Sequence, residues 1–291
     1  MKKIEYIELG ATLFVPAIHK NVSEIICGEK YPNLKSVVLD TEDGIKKELL
    51  EDALLAIQKV LHTFKGSNVL VFIRPRDPKV LKHILDFKGI ENINGFVLPK
   101  FSLENASEYL KPLKEKPFYI MPSIEGRELF EYDKLLELRA LLLAHQSQIL
   151  LLRFGLEDML RVLGMRRKCE DNIFDIAVTS SVVGNFIATF KSAGFGISGG
   201  VYPCFKDTEA FIKDVKRDLY EGLFSKTIIH PNQIEPAHNV YRVTKEELQE
   251  ALEISQSSEA VFAQNSKMAE SSTMLPWATT IIKRAAVYGV N

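Results

Sequence analysis

The stretch 150–161, Leu-Leu-Leu-Arg-Phe-Gly-Leu-Glu-Asp-Met-Leu-Arg, ends an apolar run at Arg153-Phe154-Gly155 and follows it with the carboxylate pair Glu157-Asp158. Adjacent carboxylates at the end of a buried strand suit a hard cation, which takes oxygen ligands. They suit equally the first turn of a helix, where acidic side chains answer the positive end of the dipole. Four other stretches carry chemistry of the same kind. Asp40-Thr-Glu42-Asp43-Gly44 is a dense acidic turn, and Ser123-Ile-Glu125-Gly126 offers a further carboxylate. Arg74-Pro-Arg76-Asp77 sets two guanidiniums two residues apart, on one face of an extended chain, where they could take a carboxylate or phosphate. His19, after Pro16-Ala-Ile, and His230, before Pro231-Asn-Gln, are candidate substrate contacts. Each stretch has a plainer alternative: a helix cap for 40–43, a solvated loop for the arginines, and an imidazole bound to one backbone carbonyl for His230.

The elements that must position these residues recur along the chain. Apolar, β-rich runs at 11–15, 36–39, 69–73, 95–98, 118–121, 149–154, 195–197 and 226–229 alternate with longer stretches. Those at 45–61, 79–87, 103–113, 128–144 and 208–223 have helical patterning. Strands spaced far enough apart for a helix pair in parallel, and eight such units are the count that closes a (β/α)8 TIM barrel. An open doubly wound sheet is the alternative. In a barrel of this kind the site lies at the C-terminal strand ends, where the polar stretches above fall. We therefore expect an α/β fold with a barrel domain over 1–240. A C-terminal helical extension over 241–291, a lid or an oligomer arm, follows with helical patterns at 245–268 and 277–288 joined by the polar run 270–273.

Composition narrows the functional classes. The 291 residues, 46% hydrophobic, suffice for a large core. Lys+Arg 37 against Asp+Glu 38 leaves a net charge of -1, which argues against nucleic-acid or membrane-surface binding driven by bulk charge. Met1-Lys2-Lys3 is followed by Glu5 and Glu8 rather than an apolar core, so no secretory leader is expected, and no run approaches the roughly 20 residues of a membrane span. Cys27, Cys169 and Cys204 are odd in number and widely spaced, with no pattern that would hold zinc or build a disulfide framework, and a reducing cytoplasm fits them best. Gly194 to Gly199 and Gly196 to Gly200 formally match a dinucleotide loop and a hydrolase elbow. Both need a helix to start at once, and Val201-Tyr202-Pro203 intervenes. The basic run 161–168 reads as a solvated helix end or a phosphate contact.

Five motifs in order carry a family resemblance: Leu13-Phe-Val-Pro16, Val38-Leu-Asp-Thr-Glu-Asp-Gly44, Val97-Leu-Pro-Lys100, Phe154-Gly-Leu-Glu-Asp158 and Ile229-His-Pro-Asn-Gln-Ile234. The chain resembles the HpcH/HpaI aldolase and citrate lyase β-subunit superfamily. Arg153-Phe-Gly and Leu163-Gly-Met-Arg-Arg167 look most like its branch found with tellurium-resistance and stress operons. The resemblance implies a (β/α)8 barrel, a trimer or hexamer, that uses Mg2+, or Mn2+ in its place, to cleave or form carbon-carbon bonds. Its substrate would be an anionic oxo-acid, acyl-CoA or phosphorylated compound. Asp158 matches the family's metal-binding aspartate, with Glu157 or Glu125 as helper, and Glu42 and Asp43 match its acidic pair. The family's second metal glutamate aligns with Pro122, three residues before Glu125, and its catalytic arginine aligns with Phe72, two residues before Arg74. Arg74 is then the expected catalytic cation beside Glu42 and Asp43, with Arg76, Arg153, His19 and His230 as further substrate contacts. The competing readings are a regulatory barrel that binds an anionic metabolite without turnover, and a barrel whose chemistry has shifted to thioester hydrolysis.

Overall fold

The computed structural model describes residues 3–264 and 267–291, so Met1, Lys2 and part of the expected 245–268 pattern lie outside the described residues. Seven parallel strands form one sheet: β1 (Thr12–Pro16), β2 (Ser36–Asp40), β3 (Leu70–Arg74), β4 (Gly95–Leu98), β5 (Tyr119–Ile124), β6 (Arg153–Phe154) and β7 (Thr227–Ile228). Their order is β6-β5-β4-β3-β2-β1-β7. The eighth stave is the segment 195–199, which bonds to both ends of that sheet. Leu152 N–H donates to Gly196 O at 2.8 Å and Ser198 N–H to Leu152 O at 2.9 Å, while Thr227 N–H donates to Gly199 O at 3.2 Å. The eight expected runs are therefore all present, and the sheet curls into the expected barrel, although the run at 195–197 forms a single bridge, Leu152 to Ile197, instead of a regular strand.

The strands are buried on both faces, which is why they read as unbroken apolar runs: Val37, Val38, Leu39, Val71, Phe72 and Ile73 are all fully buried. Helices α1 (Val22–Ile26), α2 (Leu50–Thr63), α3 (Pro78–Ile84), α4 (Ala106–Leu113), α5 (Tyr132–Leu143), α6 (Leu156–Val162), α7 (Ala177–Lys191) and α8 (Thr208–Tyr220) lie between successive staves. Inside, register sorts the side chains into layers. Val38, Phe72, Val97 and Met121, with Phe14 packed against them, belong to one apolar cluster. Two residues further along, the positions paired in register are Pro16, Asp40 and Arg74 on β1–β3, and Ser123 and Arg153 on β5 and β6. A polar ring thus sits directly on an apolar floor.

Buried charge ties the loop after α6 to α8 and to the residue before β7. Arg167 Nη1 lies 2.9 Å from Asp214 on α8, and Lys226 Nζ bridges Asp214 and Asp218. The loops after α6 and after the 195–199 segment carry Cys169 and Cys204, and here the structure corrects the sequence reading: these cysteines form a disulfide, their Cα atoms 5.8 Å apart. A separation of 35 residues carries no motif, and only the barrel's closure brings the two loops together. Cys27 is free.

Residues 235–291 form a second compact unit, so the boundary falls six residues before the expected one. It holds most of α9 (Ile234–Tyr241), then α10 (Lys245–Gln256), an antiparallel hairpin of β8 (Val261–Gln264) and β9 (Lys267–Glu270), and α11 (Ser271–Tyr288). The single helix expected over 245–268 ends at Gln256, because Ser257 turns to extended backbone, φ -65 and ψ 131. The polar run 270–273 is no linker; its serines open α11. Among the described residues no helix is long and apolar enough to cross a membrane.

Candidate active site

The polar ring walls a cavity of about 460 Å³ at the C-terminal ends of the strands. Its floor includes Phe14 and Val97, its wall Asp40, Arg74, Ser123, Arg153 and Thr227, and its rim Asp43, Glu125, Glu157 and Asp158. Strand pairing explains the wall. Asp40 and Arg74 end β2 and β3 in register, so they meet: Arg74 Nε and Nη2 donate to the two Asp40 oxygens, each at 2.7 Å. The same Asp40 carboxylate accepts the Glu42 and Gly44 amides at 2.9 and 2.8 Å, closing the acidic turn. Gly44 is required there, since a Cβ would fall 2.6 Å from Asp40 Oδ2.

Arg74 is answered several times over. Its Nη1 lies 3.1 Å from Glu42 Oε2 and 3.8 Å from Asp43. Burial alone would lower its pKa, but the Asp40 hydrogen bonds and the three carboxylates carry it above the usual guanidinium value. Lys100 donates to Glu42 and lies 3.3 Å from Asp43, and although burial opposes it, the Glu42 bond raises the lysine as well. Burial pushes Glu42 up against the pull of Arg74. Asp43 goes down: burial works against this, and the Glu42 hydrogen bond with Arg74 and Lys100 outweighs it.

Across the cavity the picture differs. Glu125 follows β5 directly and is 7% exposed. Its Oε1 accepts Lys100 N–H at 2.7 Å and its Oε2 accepts Ser123 Oγ–H at 3.2 Å. Burial first, and then the charge of Asp158, push its pKa up to about 7. Gly155 makes room for it, because a Cβ on Gly155 would collide with Glu125 Cβ. Glu157 and Asp158 lie in the first turn of α6, as the plainer reading of the pair has it, and both also line the cavity. Asp158 Oδ1 accepts from Arg161 Nη2 at 2.8 Å on its outer side.

Arg153, on β6, is 3% exposed and points across the barrel interior. Nη1 donates to Thr227 Oγ1 at 3.1 Å, Nη2 approaches Met121 Sδ at 3.6 Å, and Nε–H is buried without an acceptor. Its Cζ stands 5.2 Å from the centre of the Phe14 ring, as does that of Arg74. Burial, and after it the charge of Arg74, bring Arg153 down to about 9.

Of the residues singled out from sequence, Arg74, Asp43, Arg153, Glu125, Glu157 and Asp158 line this cavity, and Glu42 lies just behind its wall. The other three lie elsewhere. Arg76 donates to the backbone carbonyls of Thr41, Glu42 and Ile45 and so holds the acidic turn from outside. His19 is exposed, accepting Asn21 N–H at 3.2 Å. His230 caps a turn by accepting Asn232 N–H and stacks on Phe205 with ring centres 4.5 Å apart. Asp40, Ser123 and Thr227, not singled out as site residues, belong to the wall; Asp40 and Ser123 stand in stretches already noted, but strand register, which brings them to the wall, is not written in either strand alone.

Comparison with known proteins gives a consistent family. A family model described as C–C bond lyase of the TIM-barrel fold matches residues 3–290. Mitochondrial citramalyl-CoA lyase of Rattus norvegicus is 26% identical over 274 residues, covering 86% of this chain and 76% of that protein. The fold matches a citrate lyase from Burkholderia xenovorans with a TM-score of 0.77 at 18% identity, covering 99% of this chain and 95% of the other. It also matches CitE from Mycobacterium tuberculosis, solved with magnesium, acetoacetate and coenzyme A, with a TM-score of 0.71 at 20% identity over 97% and 99% of the two chains.

Proposed function

This chain belongs to the C–C bond lyase family of the TIM-barrel fold, and from that premise we propose that it is a Mg2+-dependent carbon-carbon lyase acting on an anionic oxo-acid or acyl-CoA thioester. The observation that carries the reading is the pair of carboxylates, Glu125 and Asp158, that line the same cavity rim, where the charge of Asp158 helps raise the pKa of Glu125. Among the described residues no group of three His, Cys, Asp or Glu side chains is arranged to hold a metal. Two carboxylates nevertheless fit Mg2+, which keeps several waters and takes one or two protein ligands. Glu125 and Asp158 would hold the cation, with Glu157 beside them at the solvent side. Bound there, it would supply positive charge to a carbonyl oxygen as negative charge builds during bond cleavage.

The chain's own residues supply the rest. Asp40, Glu42 and Asp43 hold Arg74 and Lys100 in fixed positions, so the cationic face needs no reorganisation as charge develops opposite it. Lys100 N–H and Ser123 Oγ–H fix both oxygens of Glu125 on the cavity wall. The apolar floor keeps water out from below, which strengthens every charge interaction above it. The relatives named above include a citramalyl-CoA lyase and a structure with coenzyme A, which supports a thioester among the substrates.

The test is metal binding followed by product analysis. Mn2+ used as a paramagnetic stand-in should bind the full chain and be displaced by millimolar Mg2+, and Asp158→Ala should lose that binding while staying folded. Incubation with short hydroxy-acyl-CoA and oxo-acid compounds should then yield two carbon fragments. A product with its carbon skeleton intact would place the chain among hydrolases instead.

A further inference from the structure

The wall of the cavity holds one buried cation for which, among the described residues, no carboxylate is provided. Arg153 is 3% exposed, its guanidinium contacts are a hydroxyl, a thioether sulfur and the face of Phe14, and among the described residues its Nε–H has no acceptor. A buried charge of this kind is costly to the fold unless something answers it, and guanidinium is the group best shaped to bind a carboxylate through two parallel hydrogen bonds. Arg74, its neighbour across Phe14, already has Nε and Nη2 on Asp40 and Nη1 beside Glu42. Register also fixes depth: Arg153 pairs with Ser123, and Glu125 stands two residues further toward the rim, roughly 7 Å along the strand direction. We infer that Arg153, and not Arg74, anchors the substrate, and that the group it anchors is a carboxylate forming the innermost end of a short acid.

The inference rests on the proposed metal site for its second half. With Mg2+ answering Glu125 and Asp158, the cavity presents two electropositive ends separated by the length of a small dicarboxylate. A short dianionic acid satisfies both, whereas a monocarboxylate leaves one end to water. Binding therefore discriminates by charge at the deep end, and a substrate whose buried terminus is a neutral alkyl group is excluded.

Two arms of one ligand-observed NMR titration on the full chain separate the anchor from the metal. In EDTA the probes are propionate and propionamide; propionate alone should bind, and Arg153→Gln should lose it, while Arg153→Lys, which keeps the charge without the planar fork, retains a weakened form. In millimolar Mg2+ the probes are succinate and propionate, and wild type should prefer succinate by about tenfold or more. Equal binding of propionate and propionamide by the wild-type protein overturns the anchor without recourse to any variant, as does folded Arg153→Gln binding propionate like wild type. A propionate preference in EDTA with no succinate preference in Mg2+ keeps the anchor and overturns the dicarboxylate class together with the metal reading. Circular dichroism of both variants establishes that they are folded.

Discussion

Two guanidiniums flank the same phenylalanine at the same distance, and the fold treats them in opposite ways. Arg74, on the β2–β3 side, is enclosed by Asp40, Glu42 and Asp43, and Lys100 joins the cluster, so its charge is answered within the chain. On the β5–β6 side, Glu125 and Asp158 raise one another's electrostatic energy and Arg153 meets no carboxylate among the described residues. One side of the cavity is finished by folding; the other is finished only by ligands. The position of a charge in a cavity therefore says less about its role than whether the fold has already answered it.

The largest expected effect divides the two arginines by stability. Arg74→Leu strips Asp40 and Glu42 of their counter-charge and should cost about 3 kcal/mol or more in urea unfolding. Arg153→Leu removes a charge with no carboxylate to strand and should change stability by about 1 kcal/mol or less, with some loss from its packed stem. If the two variants unfold at the same urea concentration, the contrast between the sides collapses. Next comes metal affinity. Glu125→Gln should weaken Mn2+ binding by about tenfold or more, the scale seen even for groups that only support a metal's ligands. Asp43→Asn, on the finished side, should leave it within about twofold.

A third effect is pH dependence without metal. The folded pKa of Glu125, about 7, lies above its value in the unfolded chain, so the folded state holds the extra proton between the two. Its contribution is fully present below the unfolded value and is lost as pH rises through about 7. Thermal melts in EDTA from acid to mildly alkaline pH should show that decline, and either added Mg2+ or Glu125→Gln should flatten it. The smallest effect is expected at Lys100, whose side chain is half exposed. Lys100→Met should cost no more than about 1 kcal/mol, a value that chemical denaturation can resolve from the loss at Arg74.

Much of this molecule was legible before its structure. Alternating apolar runs and helical stretches announced eight staves, and strand-end position collected Arg74, Arg153, Glu125 and Asp158, because barrel topology brings such ends to one rim. Which way a loop residue turns after the strand was not legible. Arg76 shares a face with Arg74 only while the chain stays extended; beyond the strand it turns outward to carbonyls of the acidic turn. His19 and His230 likewise satisfy local turns. The Cys169–Cys204 pairing and the Asp40–Arg74 pairing share one reason for invisibility: each is a contact between distant segments whose register is set by neither alone. The extension misled for a local reason, since helical periodicity over 245–268 continued past the point where Ser257 leaves helical backbone.

The eighth stave gives the barrel a seam. Between β6 and β7 the ring is held by a few amide-to-carbonyl bonds from 195–199, whereas β2 shares five residues of paired register with β1 and five with β3. Local opening should start along this line, and the amides of Leu152, Ser198 and Thr227 should exchange with deuterium before those of Val38 or Phe72. The Cys169–Cys204 disulfide joins two loops beside the seam, and the Lys226–Asp214 contact ties α8 to the residue before β7; both act as its stitches. Opening along this line would loosen the side where Arg153 lies before the side where Arg74 is clamped, so access to the deep end of the cavity and the weakest closure of the cylinder are properties of the same few residues.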